Sequence, residues 1–374
     1  MKRLICFIAV LSLAFGSISV NAVSTSARAA ILINAQTGEI IYGQNAAQRL
    51  PMASTTKIMT ALLLCENGDM EKEITVTDEM VRVEGTSMGL LPKDKVTYHA
   101  LLYGMLLASG NDAANVTAYA LGGTVDGFVK LMNQKAEELG LNDTHFETPS
   151  GLDGEEHYTT AKDLSFLAKT AMENELFAKA AASKSEVLYY GNPPYRRTLT
   201  NHNKLLKTFD GAIGVKTGFT KRSGRCLVSC AERDGKRVIA VTLNDRNDWA
   251  DHTALLNYGL DKITTTEIVP EQKNFKIPVI SSAETELEVQ IEPYSVNSID
   301  SEHFSCSVNL PQFVYAPVKK GEIIGEVVYY KNGEKIADKA IRSEIEIKEI
   351  PLKTDAFADF WECFKLNFKN IWES

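Results

Sequence analysis

Apolar and polar positions follow different periods along this chain, and the changes of period predict its elements. Residues 26–42 alternate and turn at Thr37-Gly38, which predicts a β-hairpin. Between residues 98 and 182 apolar positions recur at helical spacing, with polar breaks between successive helices. Alternation returns in residues 214–243, and a helical pattern closes the region. We therefore predict an α+β domain with one sheet over residues 23–263.

The pattern changes after about residue 264, where helical periodicity gives way to short alternating segments. Asn332-Gly333 lies between two such segments and is a strong signal for a tight hairpin turn. We predict a separate small all-β sandwich domain over residues 264–350. Because this part gathers no catalytic residue types, we expect it to serve as a spacer or platform.

The last segment, residues 351–374, predicts an amphipathic helix. Its apolar residues repeat at spacings of three, four and seven, and charged residues lie opposite them. The segment is too short and too charged to span a bilayer, so residues 353–374 suit anchoring at a membrane surface. Docking on the β domain and an oligomer contact are the open alternatives. The apolar stripe consists of Phe357, Phe360, Trp361, Phe364, Phe368, Ile371 and Trp372.

The first 22 residues have the layout of a secretory signal peptide. Lys2 and Arg3 precede an apolar run, and small residues end the segment at Ala22. An uncleaved anchor is the alternative, but the run is short for a membrane span. We predict a mature protein that begins near Val23 and lies outside the cytoplasm, on the outer face of the cytoplasmic membrane.

Composition and charge exclude some classes of function. The chain has 374 residues, of which 44% are hydrophobic, and a net charge of −8 that gives no reason to expect nucleic acid. Cys226 and Cys230 lie four residues apart on one predicted strand, about 13 Å at roughly 3.3 Å per residue, too far to form a disulfide. Buried free thiols are predicted instead. No spacing of His or Cys indicates a metal site, and no cofactor is expected.

Three short motifs carry the candidate chemistry. They are STTK at Ser54 to Lys57, SGN at Ser109 to Asn111, and KTG at Lys216 to Gly218. The first is predicted to open a helix, the second to separate two apolar helices, and the third to lie on a strand. Each alone has a simpler interpretation: a capping serine with an exposed lysine, a helix cap, and a solvated strand lysine. Their combination favours catalysis.

Ser54 and Lys57 lie one helical turn apart and suit a nucleophile and its base. A serine hydroxyl needs a base to take its proton, and Lys57 can act so if burial and a nearby cation lower its pKa. Lys216 is the candidate for that cation. Ser109 can relay a proton to the leaving nitrogen, and Asn111 can hold a substrate amide.

The remaining site residues follow from the KTG motif. Lys216 and Thr217 suit recognition of a substrate carboxylate, and Gly218 allows the strand to approach a ligand closely. The backbone N–H groups of Ser54 and Phe219 would form a two-donor oxyanion hole.

These motifs, in this order, resemble those of the penicillin-recognising serine acyltransferases. Within that family the chain is most similar to the low-molecular-mass penicillin-binding proteins that act as D-alanyl-D-alanine carboxypeptidases. The resemblance implies a β-lactamase/transpeptidase-like fold with helices on both sides of the sheet. It also implies that a peptidoglycan stem peptide ending in D-Ala-D-Ala acylates Ser54, that the last D-Ala leaves, and that β-lactam antibiotics acylate the same serine.

Two departures and three alternatives accompany the resemblance. Some members carry His where this chain has Ser150, so a role of that histidine in deacylation cannot be transferred. An arginine that often binds the terminal carboxylate has an uncertain counterpart in Arg246. The alternatives are a serine β-lactamase, a DD-endopeptidase and a catalytically idle scaffold. A lactamase of class A needs a glutamate for deacylation, and the segment around Glu155 and Glu156 does not resemble the loop that supplies it.

Overall fold

The computed structural model describes residues 23–67, 69–299 and 303–350, together with Trp361. These residues form two compact units that divide between Lys262 and Ile263. The predicted signal peptide and, apart from Trp361, the predicted C-terminal amphipathic helix lie outside the described residues. Among the helices of the described part, none is both long enough and apolar enough to cross a membrane.

The first unit is built on an antiparallel sheet. The strands of this unit are β1 Ala29–Asn34, β2 Ile40–Gln44, β3 Glu73–Thr75, β4 Lys95–Thr97, β5 Ser185–Gly191, β6 Pro194–Thr200, β7 Ala212–Thr220, β8 Gly224–Arg233 and β9 Lys236–Leu243. Five of them form the main sheet in the order β2-β1-β9-β8-β7, with every pair antiparallel. Strands β2 and β7 are therefore its two edges, and β7 carries the KTG motif at an edge.

Helices cover both faces of this sheet. The helices are α1 Lys57–Glu66, α2 Tyr98–Leu106, α3 Asn111–Gly122, α4 Val125–Glu138, α5 Ala161–Glu173, α6 Glu175–Ala182, α7 Leu205–Thr208 and α8 Asp248–Lys262. Ile31 and Ile33 of β1 belong to the core formed with α1 to α6. Leu32, which points to the opposite face, packs so closely on α8 that a Cβ on Gly259 would lie 2.9 Å from it. The predicted α+β fold with helices on both sides is confirmed.

The start of α1 differs from the prediction. Ser54 lies in a 3₁₀ turn, Ala53–Thr56, and the α-helix begins at Lys57. Neither the turn nor the helix has a side-chain cap, so Ser54 is not a capping serine. The tighter turn forms because both the N–H and the hydroxyl of Thr55 donate to the Met52 carbonyl.

The prediction of one sheet in this unit was wrong, because a hairpin that was not predicted forms part of a second sheet. Strands β5 and β6 pair with each other and extend a smaller sheet in the order β3-β4-β5-β6. The alternation that would have indicated β6 is weak, because all its residues except Leu199 and the half-buried Arg197 are exposed.

The second unit contains only strands among its described residues before 351. They are β10 Thr264–Ile268, β11 Asn274–Ile280, β12 Glu286–Gln290, β13 Tyr294–Ser298, β14 Phe304–Asn309, β15 Val314–Tyr315, β16 Ile323–Lys331 and β17 Glu334–Arg342. The Asn332-Gly333 turn between β16 and β17 has positive φ angles of 51° and 86°, which a two-residue hairpin of this kind requires. The predicted all-β C-terminal domain is confirmed, with a separate apolar core.

Candidate active site

The residue that precedes Ser54 and a glycine from a distant loop hold the 3₁₀ turn in place. Ala53 adopts a positive φ of 49°. Gly151 packs on it so closely that a Cβ at position 151 would lie 1.9 Å from the Ala53 carbonyl oxygen. Only glycine fits there, because any side chain would displace the turn that presents Ser54.

Lys57 is fully buried and has three partners at its ammonium nitrogen. Nζ lies 3.0 Å from Ser54 Oγ, 2.7 Å from Asn111 Oδ1 and 2.7 Å from the Ser150 carbonyl oxygen. The Asn111 amide is oriented by its Nδ2, which donates to the Glu84 carbonyl over 2.7 Å. The Asn111 and Ser150 oxygens can therefore only accept hydrogen bonds.

This arrangement directs the lone pair of a neutral Lys57 at Ser54. A neutral amine donates two hydrogen bonds and accepts one, and the Asn111 and Ser150 oxygens take both donors. The remaining partner, Ser54 Oγ, must then donate its proton to Nζ. Burial, followed by the charge of Lys216, holds the pKa of Lys57 well below its usual value, which favours that neutral state. The geometry is suited to a lysine base.

Ser109 and Lys216 form a second contact at the site. Ser109 has a positive φ of 58°, a conformation that costs a non-glycine residue on the order of 1–2 kcal/mol. Its hydroxyl lies 3.1 Å from Lys216 Nζ, which also donates to the Thr217 carbonyl. Lys216 is only 1% exposed, and burial lowers its pKa to about 7. Its interpretation as a solvated strand lysine is wrong.

Strand β7 passes directly beside the nucleophile. A Cβ on Gly218 would lie 3.1 Å from each of three backbone atoms, the Met52 oxygen and the nitrogens of Ser54 and Thr55. Because β7 is an edge strand, alternate backbone N–H groups are free of the ladder. The Phe219 side chain is 65% exposed. A substrate carbonyl can thus meet backbone donors from both β7 and the turn.

A cavity of about 400 Å³ opens at Ser54. Sequence reasoning missed three of its large side chains, His202, Arg225 and Trp249. Arg225 pairs across the strands with Phe219, and its guanidinium donates to Asp248 over 2.8 Å. Arg246 is exposed and does not line the cavity. The predicted residues that line it are Ser54, Ser109, Asn111, Thr217, Gly218 and Phe219.

The structure thus brings all eight predicted site residues together, with the two lysine side chains buried behind the cavity wall. Their individual roles stay predictions. Two further contributions had no signal in the sequence: the Ser150 carbonyl that binds Lys57, and Thr86, which lines the cavity and donates to the Ser109 carbonyl. Arg225 falls within the segment GVKTGFTKRSGRCLVS that resembles the family, but nothing local marked it as a cavity residue.

Two histidines near the sheet and the site are buried and neutral. His157 Nδ1 accepts from the Glu147 N–H and Nε2 contacts Thr56 Oγ1 at 2.8 Å, while burial lowers its pKa to about 4. His252 contacts the hydroxyls of Ser229 and Thr242, and burial lowers its pKa to about 3. Neither lines the cavity at Ser54. In the part of the chain that the structure describes, no three His, Cys, Asp or Glu side chains are grouped to hold a metal.

The thiols agree with the prediction for the strand that follows the KTG motif. Cys226 and Cys230 are buried free thiols on β8, opposite Gly218 and Gly214 of β7. Burial raises the pKa of the Cys226 thiol to about 11 and that of Cys230 to about 12, so both remain protonated.

Comparison with known proteins bears on both units. The family model described as D-alanyl-D-alanine carboxypeptidase matches residues 17–247, and the model described as penicillin-binding protein 5, C-terminal domain, matches residues 265–356. The chain is 32% identical over 338 residues to the D-alanyl-D-alanine carboxypeptidase DacF of Bacillus subtilis, with 86% of each chain covered.

Two solved structures extend this likeness. The D-alanyl-D-alanine carboxypeptidase DacD of Francisella tularensis matches with a TM-score of 0.62 and 26% identity, over 94% of this chain and 97% of that chain. A Streptomyces DD-transpeptidase matches with a TM-score of 0.61 and 33% identity, over 64% of this chain and 98% of that chain. The resemblance that the three motifs indicated is confirmed.

Proposed function

Since the chain belongs to the D-alanyl-D-alanine carboxypeptidase family, we propose that it removes the terminal D-Ala of peptidoglycan stem pentapeptides through an acyl-enzyme on Ser54. Removal of the terminal D-Ala limits cross-linking of the peptidoglycan. The observation that carries the proposal is the buried Lys57, whose Nζ lies 3.0 Å from Ser54 Oγ with its other two partners acting only as acceptors.

Acylation begins when neutral Lys57 takes the Ser54 hydroxyl proton. Oγ then attacks the carbonyl carbon of the penultimate D-Ala, and the negative oxygen is bound by the N–H groups of Ser54 and Phe219. As the C–N bond breaks, the leaving nitrogen takes the Ser109 hydroxyl proton, and the proton that Lys57 took from Ser54 replaces it. Lys57 is then neutral again, and Ser109 Oγ keeps its contact with Lys216 at 3.1 Å. The products are free D-Ala and an ester on Ser54.

Deacylation uses the same base in the opposite half of the cycle. Neutral Lys57 takes a proton from a water molecule, whose oxygen attacks the ester carbonyl. As the bond to Oγ breaks, Lys57 returns the proton to Ser54 and the shortened stem leaves. Among the described residues that line the cavity, the one carboxylate is Asp248, which Arg225 binds. No glutamate lines it, which disfavours the class A β-lactamase route through a glutamate-activated water.

The substrate's terminal carboxylate would bind at the β7 end of the cavity. Thr217 supplies a hydroxyl, Lys216 a charge behind it, and Arg225 a guanidinium on the neighbouring strand. Arg225 takes this part in place of Arg246, which does not line the cavity.

The protein would act at the outer face of the bacterial cytoplasmic membrane. Residues 1–22 would direct its secretion and be removed, and residues 353–374 would bind the lipid surface through their aromatic face. Flotation of the mature chain with phosphatidylglycerol vesicles tests the anchor, with a chain ending at residue 350 as the control. Equal flotation of the two chains would contradict it.

Intact-mass spectrometry with a penicillin tests the chemistry. The mature chain should form one adduct that maps to Ser54 and decays over hours, and it should release D-Ala from a pentapeptide stem. Ser54→Ala should do neither. Rapid drug turnover without a lasting adduct would indicate a β-lactamase, cleavage of cross-linked stems alone an endopeptidase, and no adduct with no turnover a scaffold.

A further inference from the structure

A loop without regular secondary structure, residues 84–90, forms one wall of the cavity and holds the SGN turn. Thr86 Oγ1 donates to the Ser109 carbonyl over 2.6 Å, and the Asn111 N–H donates to the Thr86 carbonyl over 2.7 Å. The Asn111 amide reaches the Glu84 carbonyl. The strained turn at Ser109 and the partner of Lys57 therefore both depend on where this loop lies.

The loop is bound to the fold by the carboxylate of Asp112, the second residue of α3. Asp112 is only 2% exposed and does not line the cavity. A buried charge of this kind is tolerated only when it is well hydrogen-bonded. Its oxygens accept from Met88 N–H (2.9 Å), Gly89 N–H (3.0 Å), Leu90 N–H (3.0 Å), Ser87 Oγ (2.6 Å) and Ala113 N–H (2.9 Å).

The opposite side of the loop is held by the β5–β6 hairpin. Arg197 Nη1 donates to the carbonyls of Met88 and Gly89 over 3.2 and 2.8 Å, and the Tyr190 hydroxyl donates to the Met88 carbonyl over 2.7 Å. Buried backbone N–H and C=O groups that lie outside a helix or sheet need hydrogen-bond partners from elsewhere in the fold. Here one carboxylate supplies the acceptors and the hairpin supplies the donors.

We propose that Asp112 is a positioning residue for acylation: by binding the amides of the loop, it fixes the turn that places Ser109 and Asn111. The proposal rests on the proposed function. Loss of the carboxylate would leave the amides of Met88, Gly89 and Leu90 without their acceptor and let the 84–90 loop shift, and with it the wall of the cavity and the partner that orients Lys57. A misplacement of about 1 Å in such a site costs about 100-fold in rate.

Asp112 also acts on the base through its charge. The charged groups that shift the pKa of Lys57 are Lys216 on β7, which lowers it, and Asp112 on α3, which raises it against the larger effect of burial. Removing the negative charge therefore lowers the pKa of Lys57 further. Because the base acts when neutral, the acid limb of the acylation profile should then move to lower pH.

The test is the second-order rate constant for acylation of the mature chain by a fluorescent penicillin, measured against pH in Asp112→Asn. An asparagine NH₂ would face loop amides that can only donate, so we expect a fall of about 100-fold in the plateau rate together with the shifted acid limb. Asp126→Asn is the matched control, since Asp126 is the exposed second residue of α4. It should leave both quantities unchanged.

A folded Asp112→Asn that acylates within threefold of the wild type, or whose acid limb does not move, would overturn the proposal. Thermal melting shows whether that variant folds. If it does not, Ser87→Ala, which removes one donor from the carboxylate on an exposed residue, carries the test. Its acylation should fall about 3- to 10-fold at an unchanged melting temperature, and a wild-type rate would overturn the proposal. Failure of the wild type to acylate would refute the proposed function instead.

Discussion

The approach of β7 to the nucleophile provides the sharpest test of the site's geometry. Gly218→Ala adds one methyl group at a point where it would lie 3.1 Å from the Met52 oxygen and from the nitrogens of Ser54 and Thr55. Ordinary carbon contacts lie at about 3.5–4.0 Å, so the strand must move away from the turn by a few tenths of an ångström. That movement separates the two N–H groups assigned to the oxyanion.

The size of the effect follows from what those donors contribute. Removing one oxyanion donor entirely costs about 100- to 1,000-fold, or roughly 2.7–4 kcal/mol. Gly218→Ala displaces the Phe219 donor without deleting it, so we expect a loss of about 10- to 100-fold in the acylation rate. Stability should change little, because alanine suits a strand at least as well as glycine does and the contact can relax at a sheet edge.

The assay is acylation by a fluorescent penicillin, alongside D-Ala release from a pentapeptide stem and thermal melting. Gly43→Ala is the matched control: it lies on β2, the other edge of the same sheet, and its Cβ would meet no atom closer than 3.9 Å. Its rates should equal those of the wild type. Should Gly218→Ala acylate within threefold of the wild type, the close approach would not be needed for catalysis.

Three further predictions concern the charged residues. Lys57→Ala should lower acylation at least about 1,000-fold with the circular dichroism unchanged, and near-normal acylation would remove Lys57 as the base. For the free enzyme, kcat/KM should fall above about pH 7 as Lys216 loses its proton. Lys216→Arg should move that fall upward by more than about one unit, because arginine stays charged, and an unmoved profile would contradict the assignment. Arg225→Met should raise the KM of a stem peptide with a free terminal carboxylate about tenfold and leave the KM of the amidated peptide unchanged. Arg246→Met should have the KM of the wild type. Equal KM values in the two variants would refute the role of Arg225.

Sequence patterns predicted those features of the fold that neighbouring residues determine. The turn at Asn332-Gly333 between β16 and β17 was predicted from two residues, and both have the positive φ that such a turn needs. The break at Ser109 was likewise visible as a polar interruption between apolar helices. The α+β fold and the β domain were predicted from hydrophobic periods that extend over many residues. Such periods identify an element correctly even when its ends are misplaced by a few residues.

The contacts that organise the site could not be predicted in this way. Lys57 meets the Ser150 carbonyl 93 residues further along the chain, and Arg197 meets the Gly89 carbonyl 108 residues away. Backbone carbonyls have no signature in the sequence, and such pairs are set by tertiary packing. The start of α1 was misplaced for the same reason, since Gly151 packs against the Ala53 turn from a distant loop.

The two buried lysines together explain how binding and chemistry can be coupled at this site. Burial disfavours the charged form of each lysine and so lowers both pKa values. The charge of Lys216 lowers the pKa of Lys57 further. An entering carboxylate favours the charged form of Lys216, which its Thr217 carbonyl and Ser109 contacts already support. A charged Lys216 in turn keeps Lys57 neutral. A substrate with a free terminal carboxylate therefore raises the neutral fraction of Lys57, whereas one whose terminus is amidated does not. The difference in acylation rate between them should shrink in Lys216→Arg, where the charge is permanent.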